Sequence, residues 1–303
     1  MFGKKKSERM PTRKVWDHTI DIKEVFMPRK GKVYPLSREE REEVREFVKE
    51  QLRKGYIQPS KSPQTVLVFF IGKKDGKKRM VQDYRYLNEW TIKNNYPLPL
   101  ISDIRTKKLF TKMDLRWSYN NVRIKEGDEW KAAFMMPEGL FEPTVMFFGL
   151  TNSPATFQAM MNELLRDLIN TGKVAVFIDN VIVGMELEEG HDELVAEVIK
   201  RLEENDLYVK LEKCKWKVKE VGFLGVVIGP GRIKMEGEKV KGVLEWPMPK
   251  SVTDIQKFLG LANYYCQFIE GFAMVARPLH DLVKKDKRWD WTEKEERVFK
   301  ELK

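Results

Sequence analysis

The chain has 303 residues, 42% hydrophobic and 34% charged, a globular composition with length for two or more buried cores. A formal net charge of +10 points to a polyanionic partner, and no apolar run reaches the roughly 18 residues of a membrane span. The two cysteines, Cys214 and Cys266, exclude a disulfide framework and a cysteine metal cluster, and they fit a reducing, intracellular setting.

The first residues, Met1-Phe-Gly-Lys-Lys-Lys6, are basic and lack the apolar stretch of a signal peptide. Residues 1–14 read as a basic arm, and the weakly patterned chain to residue 35 as extended. Ser37-Arg-Glu-Glu40 is a capping box, and Val44, Phe47, Val48 and Leu52 then recur at helical spacing until Gly55 closes the helix. Val66 to Ile71 reads as a strand. Lys73-Lys-Asp-Gly-Lys77 turns it into a second strand ending at Asp83. Residues 100–108 read as a short helical or irregular connection, and Leu109 to Leu115 as a strand ending near Asp114. Ser153-Pro154 offers an N-cap and a first-turn proline to a helix carrying Phe157, Met161, Leu164 and Leu165.

Val174-Ala-Val-Phe-Ile-Asp-Asn-Val-Ile-Val183 is two apolar runs around Asp179-Asn180, a hairpin whose turn presents a carboxylate. A helix from His191 to Glu204 follows, with Leu194, Val195, Val198 and Leu202 inward. Leu207–Lys210, Lys215–Lys219 and Gly222–Ile228 read as strands, and Gly229-Pro-Gly231 as a turn. Beyond about residue 236 the pattern is helical. Ser251-Val-Thr-Asp254 and Thr292-Glu-Lys-Glu295 each open a helix, and a domain boundary is expected near 230–236.

Read together and in order, several blocks resemble the reverse transcriptase of Gypsy-type LTR retrotransposons. They are Val81-Gln-Asp-Tyr-Arg-Tyr-Leu-Asn88, Asn95-Tyr-Pro-Leu-Pro99, Met113-Asp-Leu-Arg-Trp-Ser-Tyr119, Phe148-Gly-Leu-Thr-Asn-Ser-Pro-Ala-Thr-Phe-Gln158, Phe177-Ile-Asp-Asn180, Glu212-Lys-Cys214, Gly222-Phe-Leu-Gly225 and Phe258-Leu-Gly-Leu-Ala-Asn-Tyr-Tyr265. The resemblance implies an α+β right-hand polymerase fold. Fingers and palm would occupy 15–235, and a thumb with the start of a connection region 236–303. RNase H and integrase, which accompany this family's polymerase, are expected to lie outside the chain.

It also implies a chemistry, in-line attack of a primer 3′-OH on the α-phosphate of a dNTP, assisted by two Mg²⁺ ions, with Mn²⁺ as a substitute. Asp114 and Asp179 match the family's metal-holding acids. Singly they are a strand-end and a turn aspartate; the pair in this context is catalytic. Asn180 replaces the usual second Asp of the hairpin, so the second ion is expected to bind weakly and the rate to fall.

By resemblance, Lys73, Arg79, Tyr119, Phe148, Gly149 and Gln158 would surround the incoming dNTP. Phe223, Leu224, Gly225, Lys213 and Lys257 would contact the primer and template. The implied partners are an RNA template, a DNA primer and the RNA–DNA hybrid.

Three departures accompany Asn180. Ser118 stands where a small residue, often Gly, is usual. The spacing from Pro99 to Asp114 is about four residues, or roughly 6 Å of helix, short of the family's. Cys266-Gln267 replaces a basic pair. These leave an alternative of a different class, a catalytically inactive nucleic-acid-binding protein that retains the polymerase cleft. An inactive structural subunit of an asymmetric dimer is a third, with no direct support in the residues.

Overall fold

A computed structural model describes residues 7–31, 35–72, 78–97, 104, 106–285 and 287–303. The expected 73–77 turn, with Lys73, lies outside the described residues. So do Pro99 and much of the 100–108 connection. The backbone places Arg79 in a strand; its side chain is not among those described.

The described strands are β1 (Ile57–Pro59), β2 (Val68–Gly72), β3 (Lys78–Gln82), β4 (Leu109–Asp114), β5 (Phe134–Met136), β6 (Gly139–Pro143), β7 (Val174–Phe177), β8 (Asn180–Met185), β9 (Lys215–Val218), β10 (Val221–Phe223), β11 (Val226–Gly229) and β12 (Arg232–Met235). The helices are α1 (Arg38–Lys54), α2 (Arg85–Trp90), α3 (Ser153–Leu164), α4 (Arg166–Asn170), α5 (His191–Glu204), α6 (Gly237–Leu244), α7 (Val252–Tyr264), α8 (Phe272–Val275), α9 (Arg277–Leu282) and α10 (Glu293–Glu301). All strand pairings within the sheets are antiparallel, so the class is α+β.

Contacts divide the chain into two compact units, residues 1–218 and 219–303. The division falls before the boundary expected near 230–236 because β10, β11 and β12 pair only with one another.

In the first unit a four-stranded sheet runs β7-β8-β4-β9. Its register explains its two faces. Side chains alternate along a strand, so residues paired across the ladder share a face. Met113 pairs with Val181, and Val176 with Val181; Thr111 pairs with Val183, as does Val174. These valines and Met113 are buried with Phe157 and Met161 of α3 and Val195, Val198 and Leu202 of α5. Asp114 and Asn180, one residue out of phase, fall on the other face.

A second core in this unit gathers Val44 and Val48 of α1 with Ile57, Val68, Phe134, Phe141 and Phe147. The capping box forms as expected: Ser37 Oγ accepts from the Glu40 amide and the Glu40 carboxylate accepts from the Ser37 amide. Gly55 closes α1 at φ 74°. Leu52, expected on the inner face, is exposed. The start of the described chain is docked rather than loose. Ile20 is buried, His18 bridges to Ile124, and Arg13 donates to Asp17 and Glu129.

Three local expectations shift. The N-cap of α3 is Asn152, while Ser153 is its first residue and is fully buried. Residues 207–210 form only the Leu115–Val209 bridge, not a strand. The apolar run expected as one strand from Gly222 to Ile228 folds back on itself as β10 and β11, because Leu224 and Gly225 both take positive φ, 52° and 77°.

The second unit joins that meander to helices whose core includes Ile255, Phe258 and Leu259 of α7, Leu279 of α9 and Phe299 of α10. Ser251 caps α7 by accepting from the Asp254 amide, and Thr292 with Glu295 forms the capping box of α10. Among the described residues no helix is long and apolar enough to cross a membrane.

Candidate active site

The ends of β4 and β8 meet where Asp114 pairs with Asn180. The β7–β8 hairpin is closed by Phe177 and Asn180, so its two turn residues are Ile178 and Asp179, not Asp179 and Asn180. Ile178 has φ 53°, and Asp179 is not among the positive-φ residues. That is the pattern of a type II′ turn, which favours Gly at its first central position. A β-branched residue there costs about 1–3 kcal/mol, held in place by its surroundings.

Those surroundings are specific. The Asp179 carbonyl accepts from the Leu115 amide at 2.8 Å, which pins the turn to the end of β4. On the other side Gln158, fully buried on α3, reaches β7. Its Oε1 accepts from the Ile178 amide at 2.8 Å, and its Nε2 donates to the Val176 carbonyl at 3.1 Å and to Asn162 Oδ1 at 2.8 Å. Gln158, expected from sequence beside the incoming dNTP, is buried here with its carboxamide on this backbone. It serves as a one-residue strand against the open edge of β7.

Asp179 and Asp114 are close enough that each senses the other's charge. Burial first, and then Asp114, raise the Asp179 carboxyl above its ordinary range, while Lys210 and Lys213 pull it back. Asn180 Nδ2 donates to Asp179 Oδ1 at 3.1 Å. The Lys210 ammonium lies 3.1 Å from Asp114 Oδ1, and its backbone amide donates to the Asp114 carbonyl at 2.8 Å. Sequence reading missed Lys210. Its only signal was its place three residues before Lys213. Arg116 grips Glu212 through both carboxylate oxygens, at 3.1 and 3.2 Å, which holds the Leu211–Lys213 turn beside β4. Among the described residues no cluster of three or more His, Cys, Asp or Glu side chains stands where it could hold a metal. The candidate site has two acids and an amide.

Tyr119 follows in a short 3₁₀ turn, Ser118–Asn121, and is buried against Phe148 and Phe157. Burial and the nearby Asp179 push its hydroxyl up to about 12. Phe148 is 65% exposed with its ring centroid 4.9 Å from that of Tyr119, an open aromatic face next to the acids. Gly149 takes φ 101°, and a Cβ there would stand 3.3 Å from Tyr84. Ser118 is not among the positive-φ residues; its neighbour Trp117 is, at 52°.

Lys213 is exposed on its turn. In the second unit, Phe223 is buried, and Tyr264, the last residue of α7, and Tyr265, its C-cap, donate to the carbonyls of Leu224 and Gly225. A Cβ on Gly225 would lie 2.9 Å from Tyr265 Oη. Gly225 is thus required by its own turn and by a tyrosine. Lys257 is exposed on α7, 3.9 Å from Asp254.

Residues 71–228 match the family described as reverse transcriptase (RNA-dependent DNA polymerase). The chain belongs to the reverse transcriptase family. It is 34% identical over 274 residues to the Transposon Tf2-7 and Tf2-8 polyproteins of Schizosaccharomyces pombe. That match takes in 89% of this chain and 20% of each relative, so the chain spans about a fifth of those polyproteins. Among solved structures, a foamy viral protease–reverse transcriptase in complex with double-stranded DNA matches with a TM-score of 0.83 and 24% identity, over 97% of this chain and 52% of that one. A foamy viral protease–reverse transcriptase in complex with an RNA/DNA hybrid matches with a TM-score of 0.79 and 23% identity, over 97% and 40%. The fold is that of the right-hand polymerases, as the sequence resemblance implied.

Proposed function

We propose that the chain is the polymerase portion of a retrotransposon polyprotein, performing RNA-directed DNA synthesis at a rate held down by Asn180. The observation that carries this reading is the pairing of Asp114 with Asn180 beside Asp179, at the ends of two adjacent strands.

The donor set fits divalent metal ions. Both acids offer the hard oxygens that Mg²⁺ prefers. Two half-buried carboxylates in mutual repulsion gain from a cation, and Lys210 already places one positive charge on Asp114. When bound, two Mg²⁺ ions would stabilise the attacking and leaving oxygens of the displacement, and Mn²⁺ takes the same donors. Asp114 and Asp179 would hold them, the second ion losing a carboxylate at Asn180.

Other residues bind and orient. Tyr119 and Phe148 present an aromatic wall suited to the sugar and base of a dNTP, with Gly149 behind it. Lys73 and Arg79 supply charge for the triphosphate in this reading. Lys213, Lys257 and the Phe223-Leu-Gly225 turn are the primer–template contacts of this reading. Partners are then an RNA template, a DNA primer, their hybrid and dNTPs, in an intracellular setting that suits two free cysteines.

A second reading is favoured by one observation. Lys210 offsets one of the two carboxylate charges and Asn180 adds none, which suits a protein that binds nucleic acid without polymerising it. Primer extension on an RNA template with Mg²⁺ and with Mn²⁺, run beside duplex binding, separates the two. Extension abolished by Asp179→Asn supports the polymerase. Binding without extension under either metal supports the second reading.

A further inference from the structure

Gln158 sits on α3, away from the candidate site's open face, yet its carboxamide makes the only side-chain bonds seen to the backbone of β7 next to Asp179 among the described residues. The geometry is that of a ladder. In a strand, the carbonyl of one residue and the amide two positions on point the same way. The Val176 carbonyl and the Ile178 amide do so here, on the edge of β7 that faces no other strand. One carboxamide satisfies both, accepting from Ile178 at 2.8 Å and donating to Val176 at 3.1 Å. This bracket spans Phe177 and ends on Ile178, the residue in the left-handed region, with Asp179 next in the chain.

The bracket has its own support. Gln158 Nε2 also donates to Asn162 Oδ1 at 2.8 Å, and Asn162 Nδ2 donates to Tyr96 Oη at 3.0 Å. Gln158 is fully buried, so water cannot replace these bonds, and its rotamer is fixed on three sides.

We propose that Gln158 is a positioning residue for cation binding: by bridging Val176 and Ile178 it holds the strained turn that aims the Asp179 carboxylate toward Asp114. The proposal rests on reading Asp114 and Asp179 as the cation-holding pair. Gln158 touches neither the cation nor the substrate; it acts through Ile178. Its partner Asn162 acts through Gln158.

The test is Mn²⁺ binding to the full chain, followed by electron paramagnetic resonance with no nucleic acid present. Gln158→Met keeps the length and volume of the side chain and removes both backbone bonds. It should weaken Mn²⁺ binding at least tenfold. Ile178→Gly makes the left-handed conformation free of strain. In that background Gln158→Met should weaken binding less than threefold. A loss of equal size in both backgrounds would mean plain damage to the core and would overturn the proposal. So would unchanged affinity in Gln158→Met. If Gln158→Met does not fold, Asn162→Ala removes only the support, and a three- to fivefold loss is expected; no loss overturns the proposal. Asp179→Asn is the control on the underlying reading. Mn²⁺ binding that survives Asp179→Asn, or is absent from the unmodified chain, overturns that reading and the proposal with it. Binding lost in Asp179→Asn but kept in Gln158→Met overturns the proposal alone.

Discussion

Asn180 stands directly across the β4–β8 ladder from Asp114, and its amide donates to Asp179 Oδ1 at 3.1 Å. The position where this family usually carries a third carboxylate therefore holds a hydrogen-bond donor. Asn180→Asp should raise the rate of primer extension by several hundred-fold to a thousandfold, equivalent to about 3–4 kcal/mol of transition-state stabilisation. The measurement is single-turnover extension with Mg²⁺. No gain would locate the lesion elsewhere, the shortened stretch between Pro99 and Asp114 being the first candidate.

The acid pair is a stability cost in the absence of a cation. Asp179 is half-buried and faces the charge of Asp114, which together disfavour its ionised form. Asp179→Asn should therefore melt a few degrees above the unmodified chain in EDTA, a gain on the order of 1 kcal/mol, while extension is lost. A lower melting temperature would show that Asp179 also holds the turn through its charge.

His18 makes the fold sensitive to acid. Its ring is buried and its Nδ1 meets Thr156 Oγ1 at 2.8 Å, and burial lowers its pKa from 6.5 to about 4 despite the charges of Asp128 and Asp21. The folded state thus binds this proton less readily than the unfolded state. Stability from the neutral ring is complete above pH 6.5 and lost as pH falls toward 4. Between pH 7 and pH 4.5 the loss attributable to His18 should be about 2 kcal/mol. Urea melts of the unmodified chain and His18→Gln at both pH values check this. The variant should show a correspondingly flatter dependence.

Gly225→Ala should destabilise the second unit by about 1–2 kcal/mol, since φ 77° disfavours any Cβ and Tyr265 Oη lies 2.9 Å from where it would stand. Denaturant melts followed by tryptophan fluorescence would read it. The same change beside Tyr265→Phe should cost less, because the contact with Oη is gone, but a loss remains because φ is still positive.

Binding to an RNA–DNA duplex should weaken steeply with salt, as phosphate contacts release counterions. Lys213→Ala should lower affinity across sequences alike and reduce the log–log salt slope by about 1. A slope unchanged by Lys213→Ala would remove that lysine from the interface.

Sequence alone determined the elements whose signals are local. The capping boxes at Ser37 and Thr292, the spacing of Val195, Val198 and Leu202, and the apolar runs around Asp179 each depend on residues within a few positions of one another. The ordered blocks also carried the family, and with it the expectation that Asp114 and Asp179 share a site. What tertiary structure decided was direction and partnership. Whether Gln158 faces a nucleotide or a backbone depends on where β7 lies relative to α3, and no spacing encodes that. Lys210 reaches Asp114 only because a bridge at Val209 lays residues 208–210 along the end of β4, across a separation of 96 residues. Residues 222–228 read as one strand because their apolar run is continuous; they fold into two because Leu224 and Gly225 take positive φ in a turn that Tyr264 and Tyr265, at the end of α7, hold by hydrogen bonds. A hydrogen bond between residues far apart in the chain has no periodicity to betray it, and the side chain that makes it looks the same in sequence as one that faces water.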